Sequence, residues 1–148
     1  MTTDIDAIAE TIGAAGPIKD RIKKLVDVIQ RTGDFEADHI FVSEYTTKKN
    51  EDQKRVFESL WLIKDAYIHE AKNFLHDVKF DSLHLERFYY WEIEYLNLDN
   101  LEQPMDESRI NLELSAGMST SAIFHATGQN CSNLMNLFKS EIKPRMGT

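Results

Sequence analysis

The sequence predicts an α+β protein with an N-terminal helical hairpin, a body of antiparallel strands and a C-terminal helix. Apolar residues recur every three or four positions in residues 1–33, alternate with polar residues after Trp91, and return to helical spacing at Leu134. With 148 residues, of which 42% are hydrophobic and 28% are charged, the chain has the size and composition of one folded domain.

The first 33 residues have the pattern of two short helices joined by a tight connection. Their apolar faces are Ile5, Ile8 and Ile12 in the first helix, and Ile18, Ile22, Leu25, Val26 and Ile29 in the second. Gly13 suits the left-handed conformation that ends a helix, Pro17 suits a first turn, and Gly33 closes the second helix. Because residues 1–33 carry equal numbers of acidic and basic side chains, the net charge of −8 belongs to residues 34–148. We therefore divide the chain at this point, and the hairpin is a candidate surface for homo-oligomer formation.

Residues 50–76 fit two different patterns. Their apolar side chains fall on one side of a helical wheel, which predicts a long amphipathic helix packed on a sheet of roughly three to four strands. The alternative is a pair of strands, Phe57–Ile63 and Tyr67–Ala71, that turns at Lys64-Asp65. For apolar runs of this length, periodicity does not distinguish a helix from a pair of strands.

The remainder of the chain has the pattern of strands followed by a helix. Trp91–Tyr95 alternates apolar and acidic residues, as a strand with one buried face does. Further strands are predicted at Ile110–Leu114 and Ala122–Thr127. The last helix has an apolar face at Leu134, Leu137, Phe138 and Ile142, a cap at Asn130 or Ser132, and Pro144 beyond its end.

The hydrophobic pattern runs through the stretches SLWLIKDAYIHEAKNFL, DVKFDSLHLERFYYWEIEYLNL, INLEL, SAIFHATG and NCSNLMNLFKSEI. In this order they resemble the second to seventh strands and the closing helix of the pleckstrin-homology and GRAM-like domain superfamily, over about residues 38–143. The resemblance implies a bent antiparallel β-sandwich, or partly open barrel, closed by a C-terminal helix. It favours the strand pair within residues 50–76.

Charge and motifs exclude several classes of function. The balance of 25 acidic against 17 basic side chains argues against nucleic-acid and membrane partners, because a negative surface repels phosphate groups. The single cysteine, Cys131, cannot form an internal disulfide, and we expect a cytoplasmic protein. The sequence has no P-loop, dinucleotide fingerprint, nucleophile elbow or metal-ligand spacing. We therefore predict a non-enzymatic protein without a cofactor or a metal.

Aromatic and acidic residues are concentrated on one predicted strand. The candidate partner-binding residues are Tyr89, Trp91, Glu92, Glu94 and Tyr95. Aromatic side chains are enriched at protein interfaces, and residues 86–113 hold eight acidic side chains against two basic ones. Such a surface attracts a protein partner with a basic surface.

A second candidate site is basic. The superfamily members that bind phosphoinositides hold the lipid headgroup with Lys and Arg around the first inter-strand loop. By this resemblance the candidate anion- or lipid-binding residues are Lys48, Lys49, Lys54 and Arg55. Glu51 and Asp52, which lie between the two pairs, depart from the pattern.

Three functions are compatible with these features. The first is a non-enzymatic binding or adaptor module that recognises a protein through the acidic, aromatic surface. The second is an enzyme or small-molecule binder with a pocket in a curved sheet, lined by Tyr67, His69, Trp91 and Tyr95. The third is an acidic inhibitor or immunity protein of a basic toxin or nuclease.

Overall fold

A computed structural model describes residues 3–49, 52–96, 109–117 and 120–147, without the side chains at 48, 49, 52 and 53. The elements are α1 (Ile5–Ile12), α2 (Gly16–Gly33), β1 (His39–Lys49), β2 (Asp52–Lys64), β3 (Tyr67–Lys72), β4 (Lys79–His84), β5 (Tyr90–Leu96), β6 (Arg109–Ser115), β7 (Ser121–Thr127) and α3 (Asn130–Leu137). The strands form two antiparallel sheets, one in the order β1-β2-β3-β4 and one in the order β5-β6-β7. The α+β class with N-terminal helices and a C-terminal helix is confirmed, and the described strands close no barrel.

Two compact units make up the chain. The first comprises Met1–Ser43 and Phe57–Leu83, and the second comprises Glu44–Val56 and His84–Thr148. In the first unit α1 and α2 share a hydrophobic core with strands. The division of the chain at residue 33, made from charge and periodicity, stays a prediction.

The core of the first unit lies between the two helices and one face of the four-stranded sheet. Its members include Ile12, Ile22, Val26 and Ile29 from the helices, and Ile40, Val42, Leu60, Leu62 and Ala71 from the strands. The predicted helix boundaries are confirmed at Gly13, which adopts the left-handed conformation with φ 65°, and at Gly33. Asp34, one residue later, takes the left-handed position that ends α2.

Residues 52–72 form a strand pair, so the long helix is wrong and the strand alternative is confirmed. Ser59 pairs with Lys72 and Lys64 pairs with Tyr67, which leaves Asp65 and Ala66 as the connection. The helical pattern arises because β2 is buried on both faces. Leu60 and Leu62 lie in the core against the helices, while Trp61 and Ile63, which point the other way, are no more than 1% exposed.

The second unit contains the three-stranded sheet and α3, which packs against β7. Its buried side chains include Leu112, Leu114, Phe124, Leu134 and Phe138. After α3 the chain continues in a π-helical turn (Phe138–Ile142) and a 3₁₀ turn (Lys143–Arg145).

The predicted cap of the last helix is wrong. The N-cap residue is Gln129, and no side chain bonds to the helix at this position. Asn130 instead donates from its side-chain amide to the carboxylate of Glu44, at 3.2 Å. The Asn130 amide therefore bonds to the buried Glu44 carboxylate and does not cap α3.

We expect Arg21→Met to lower the free energy of unfolding by about 1–3 kcal/mol. The Arg21 guanidinium on α2 donates to the backbone carbonyl oxygens of Phe74 (2.8 Å) and His76 (3.2 Å), and methionine leaves these acceptors without the donor. Urea denaturation measures the change. Lys24→Met, on an exposed position of the same helix, is the matched control and should change the free energy by no more than about 0.5 kcal/mol.

Candidate functional site

The three-stranded sheet of the second unit presents one polar face and one largely apolar face. The β5–β6 register pairs Trp91 with Leu114, Glu92 with Glu113, and Glu94 with Asn111. Because directly opposed residues share a face, the acidic side chains of β5 and β6 lie together. Trp91, Ile93 and Tyr95 lie on the other face, with Leu114, Leu112 and Ile110 opposite them.

The polar face carries three exposed carboxylates that have no cationic partner among the residues the structure describes. Glu92 and Glu113 are directly opposed across the strands, and Glu94 follows on the same face of β5. None of the three forms an ion pair with any residue that the structure describes. Like charges in directly opposed positions destabilise a sheet. The pair therefore costs stability unless a cation from beyond the described residues neutralises it.

A row of hydrogen bonds crosses this face beside the carboxylates. Asn111 donates from Nδ2 to Glu94 Oε1 at 3.0 Å, and Asn111 Oδ1 lies 2.7 Å from His125 Nδ1. An amide oxygen only accepts, so His125 Nδ1 carries the hydrogen of this bond. These hydrogen bonds orient the Glu94 carboxylate. The Asn111 amide that donates to it is neutral and brings no positive charge to it.

The aromatic side chains of β5 are exposed although their face is the apolar one. Trp91 is 43% exposed and Tyr95 is 52% exposed, whereas Leu112 and Leu114 of the neighbouring strand are fully buried. The Trp91 and Phe138 rings meet in a T-shaped contact, with ring centroids 5.2 Å apart. The aromatic surface therefore projects beyond the core at the sheet edge.

β5 is an edge strand among the described residues. Its neighbour there is β6, and no described strand lies on its other side. An edge strand presents unpaired N–H and C=O groups along its free side, which are a template for another strand. Tyr89 and Tyr90, at the start of this edge, are 54% and 68% exposed.

All five predicted partner-binding residues lie on or next to β5 and are exposed. Tyr89 precedes the strand, and the rest alternate between its two faces, as the sequence pattern predicts. The acidic residues Asp99, Glu102, Asp106 and Glu107 lie outside the described residues. Glu113 completes the acidic face. The sequence places it in the acidic stretch 86–113 but not among the candidate site residues, because only the strand register shows that it opposes Glu92.

A buried carboxylate that no sequence pattern marks holds the second unit together. Glu44 is 0% exposed. Its oxygens accept from the backbone N–H of Thr127 (2.8 Å), from the Thr127 hydroxyl (2.6 Å) and from the Asn130 amide. Arg55 Nε lies 3.4 Å from the same carboxylate, and the Arg55 guanidinium also donates to Thr127 Oγ1 at 3.2 Å. A charge removed from water is stabilised here by an ion pair and several donors.

Cys131 is buried beside this carboxylate. Burial, together with the negative charge of Glu44, raises the pKa of the Cys131 thiol to about 11. The thiol is therefore protonated at neutral pH, and it donates to the carbonyl oxygen of Ala126 at 3.4 Å. A protonated, buried thiol is a poor nucleophile.

The residues of the predicted basic site lie on strands β1 and β2. Lys48 and Lys49 belong to β1, but their side chains lie outside the described residues. Lys54 is exposed on β2, and Arg55 is engaged with Glu44. Lipid or anion binding through these residues stays a prediction, with Arg55 already held by an internal carboxylate.

Tyr67 and His69, proposed as pocket residues, lie in the first unit, and Trp91 and Tyr95 lie in the second. The His69 ring stacks with Phe35 and with Phe80, at centroid distances of 4.5 and 5.8 Å. Burial lowers the pKa of His69. Two open cavities of about 550 and 530 Å³ occur in the first unit, and neither is lined by Tyr67 or His69.

We expect Glu44→Gln to lower the free energy of unfolding by about 3 kcal/mol, because it leaves Arg55 and the Thr127 donors without their charged acceptor. Chemical denaturation measures this loss. Glu113→Gln removes the same charge from an exposed position and is the control, which should leave the stability unchanged or slightly higher. Equal losses in the two variants would show that Glu44 is not a structural centre.

Stability should fall between pH 7.5 and 5.5 through His69. Its pKa is lower in the folded protein than its ordinary value of 6.5, so the unfolded chain takes up the proton first as the pH falls. The stabilisation is complete above pH 6.5 and is lost as the pH falls towards the folded pKa. In His69→Gln, urea midpoints at the two pH values should differ less than in the parent. An identical difference would contradict this assignment.

Other classes of site find no support among the described residues. No group of three or more His, Cys, Asp or Glu side chains there could hold a metal ion. No described helix is both long and apolar enough to cross a membrane. No protein-family model, curated protein sequence or solved structure matches this chain.

Proposed function

We propose that the protein is a binding module that takes an extended, basic segment of another protein onto the free edge of β5. The observation that carries this proposal is the opposed pair Glu92 and Glu113, which has no cation within the described chain and lies next to an unpaired strand edge. A cationic strand added at this edge would supply both the missing charge and the missing backbone partner.

Main-chain pairing would provide the affinity. Addition of a peptide strand to an exposed sheet edge is a recurring mode of recognition, in which backbone hydrogen bonds bind and alternate side chains specify. An edge strand that is left open is usually protected by lysines or prolines against such pairing. β5 (YWEIEYL) has neither, and its exposed residues are aromatic and acidic.

Side-chain charge would provide the selectivity. Successive residues of an added strand point to opposite faces, so every second side chain would lie beside Glu92 and Glu94. Lysine or arginine at those positions would neutralise the acidic face, and the field of the acidic sheet would also speed the encounter. A segment with acidic residues in the same positions would be repelled.

The sequence resemblance points to the same class of function. Edge or groove recognition of peptides is what the pleckstrin-homology-like resemblance implies for an acidic member of the superfamily. We place the interaction in the cytoplasm, where the single thiol of Cys131 would remain reduced.

We expect a short synthetic peptide in which Lys alternates with Val to bind the parent protein, and the variant Glu92→Gln/Glu113→Gln to bind it about three- to tenfold more weakly. Loss of two carboxylates on the contact face removes ionic contacts worth a few tenths to 1 kcal/mol each. Isothermal titration calorimetry at low salt measures the affinity. In the same variant the free energy of unfolding should not fall, because like-charge repulsion is relieved.

Two controls separate this mode of binding from general attraction. Glu10→Gln/Asp20→Asn removes two exposed charges from the helices of the first unit and should leave the affinity near the parent value. A peptide with proline at its central position loses a backbone donor and should bind poorly. Equal binding of the proline peptide, with no gain in hydrogen-exchange protection of β5 amides, would refute strand addition.

A further inference from the structure

We propose that the ring of Trp91 is a binding seat for a lysine or arginine side chain of the bound segment, and that Lys143 occupies this seat in the free protein. This inference rests on the proposed function, because it adds a second recognition element to the same strand. It assigns a ligand class, a basic side chain, to the aromatic face of β5. The acidic residues lie on the opposite face and do not account for the exposed aromatic rings.

The contact between Lys143 and Trp91 shows that the seat accepts a cation. Lys143 Nζ lies 5.1 Å from the centroid of the Trp91 ring. This distance is within the range over which an ammonium group is attracted to the face of an indole ring. Lys143 is exposed and forms no ion pair with a described residue, although the protein carries an excess of carboxylates. The ring is thus the partner of this charge.

The chain around Lys143 is held, whereas the lysine side chain itself is free to leave. Arg145 donates to the backbone oxygen and to the carboxylate of Glu141, both at 2.8 Å. The N–H of Gly147 donates to the carbonyl oxygen of Phe88 at 2.8 Å, beside the start of β5. An exposed cation–π contact contributes only about 0.5–1 kcal/mol, so an incoming side chain can replace Lys143 without moving the backbone.

The position of the seat predicts the pattern of the bound segment. Trp91 lies between Tyr90 and Glu92 in sequence, so it faces the side of the sheet opposite to the carboxylates. In an added strand, residues that reach Glu92 and Glu94 are two apart, and the residue between them reaches the Trp91 side. The preferred segment therefore has consecutive basic residues and not only alternating ones.

The seat is tested first without any peptide. Tetramethylammonium chloride is titrated against the full chain at constant ionic strength, and the indole N–H signals of Trp91 and of buried Trp61 are followed by NMR. Lys143→Met should let the Trp91 signal shift with the probe, whereas the parent should shift much less and Trp61 should not shift. Lys139→Met removes the same charge from an exposed position of the same segment and should behave like the parent.

The second arm compares a peptide with three consecutive lysines with one that has Lys-Val-Lys at the same positions. Relative to Lys139→Met, Lys143→Met should bind the tri-lysine peptide about two- to fivefold more tightly, which is the worth of one exposed cation–π contact. Trp91→Leu in the Lys143→Met background should abolish this gain.

The outcomes separate the two proposals. If no variant binds either peptide, the proposed function fails, and the ammonium titration still decides the nature of the seat. If the parent binds both peptides but Lys143→Met matches Lys139→Met in both arms, the seat is refuted and the binding function stands.

Discussion

The burial of the Glu44 carboxylate is the constraint on which the second unit depends. A charge without contact to water has to be matched by an opposite charge and by donors at both oxygens, and the chain supplies them from the end of β7, the start of α3 and the strand β2. These partners determine where strands β1 and β2 meet β7. β7 in turn positions β6, and β6 positions the edge strand β5, through the registers of the two strand pairs. An apolar side chain at residue 44 would fill the space without specifying these orientations.

The acidic edge is built in a way that opposes stability. Most proteins protect an edge strand against unwanted pairing, whereas β5 has no described strand on its outer side and places Glu92 against Glu113. The same arrangement repels any strand of like charge, including a second copy of β5 itself. The repulsion therefore opposes pairing between two copies of β5.

The elements that could be predicted from the sequence are those marked by residues close together in the chain. The first two helices are marked by residues close to one another, such as Gly13 and Pro17, and the alternation of β5 is visible within seven residues. β2 resembled a helix because both of its faces are buried, so its apolar residues do not alternate. A strand that is buried on both faces is recognised only from the elements that cover it, and the periodicity of its own residues does not show these.

The remaining features depend on distant residues. Glu44 looks like an ordinary polar position of a strand, and its partners Thr127 and Asn130 follow it by 83 and 86 residues. The opposition of Glu92 and Glu113 follows from the strand register. The direction of Lys143 follows from the π-helical turn at Phe138–Ile142, whose wider turn changes the face on which later residues emerge.

The chemical inertness of Cys131 has a practical consequence for spectroscopy. It is the one cysteine in the sequence, it is buried, and its thiol stays protonated at neutral pH. A cysteine introduced on the exposed surface of the sheet, at Ser121 for example, would react selectively with a maleimide dye or a nitroxide spin label. The native thiol need not be removed first. Distances to the free edge of β5 could thus be followed in an otherwise unaltered chain.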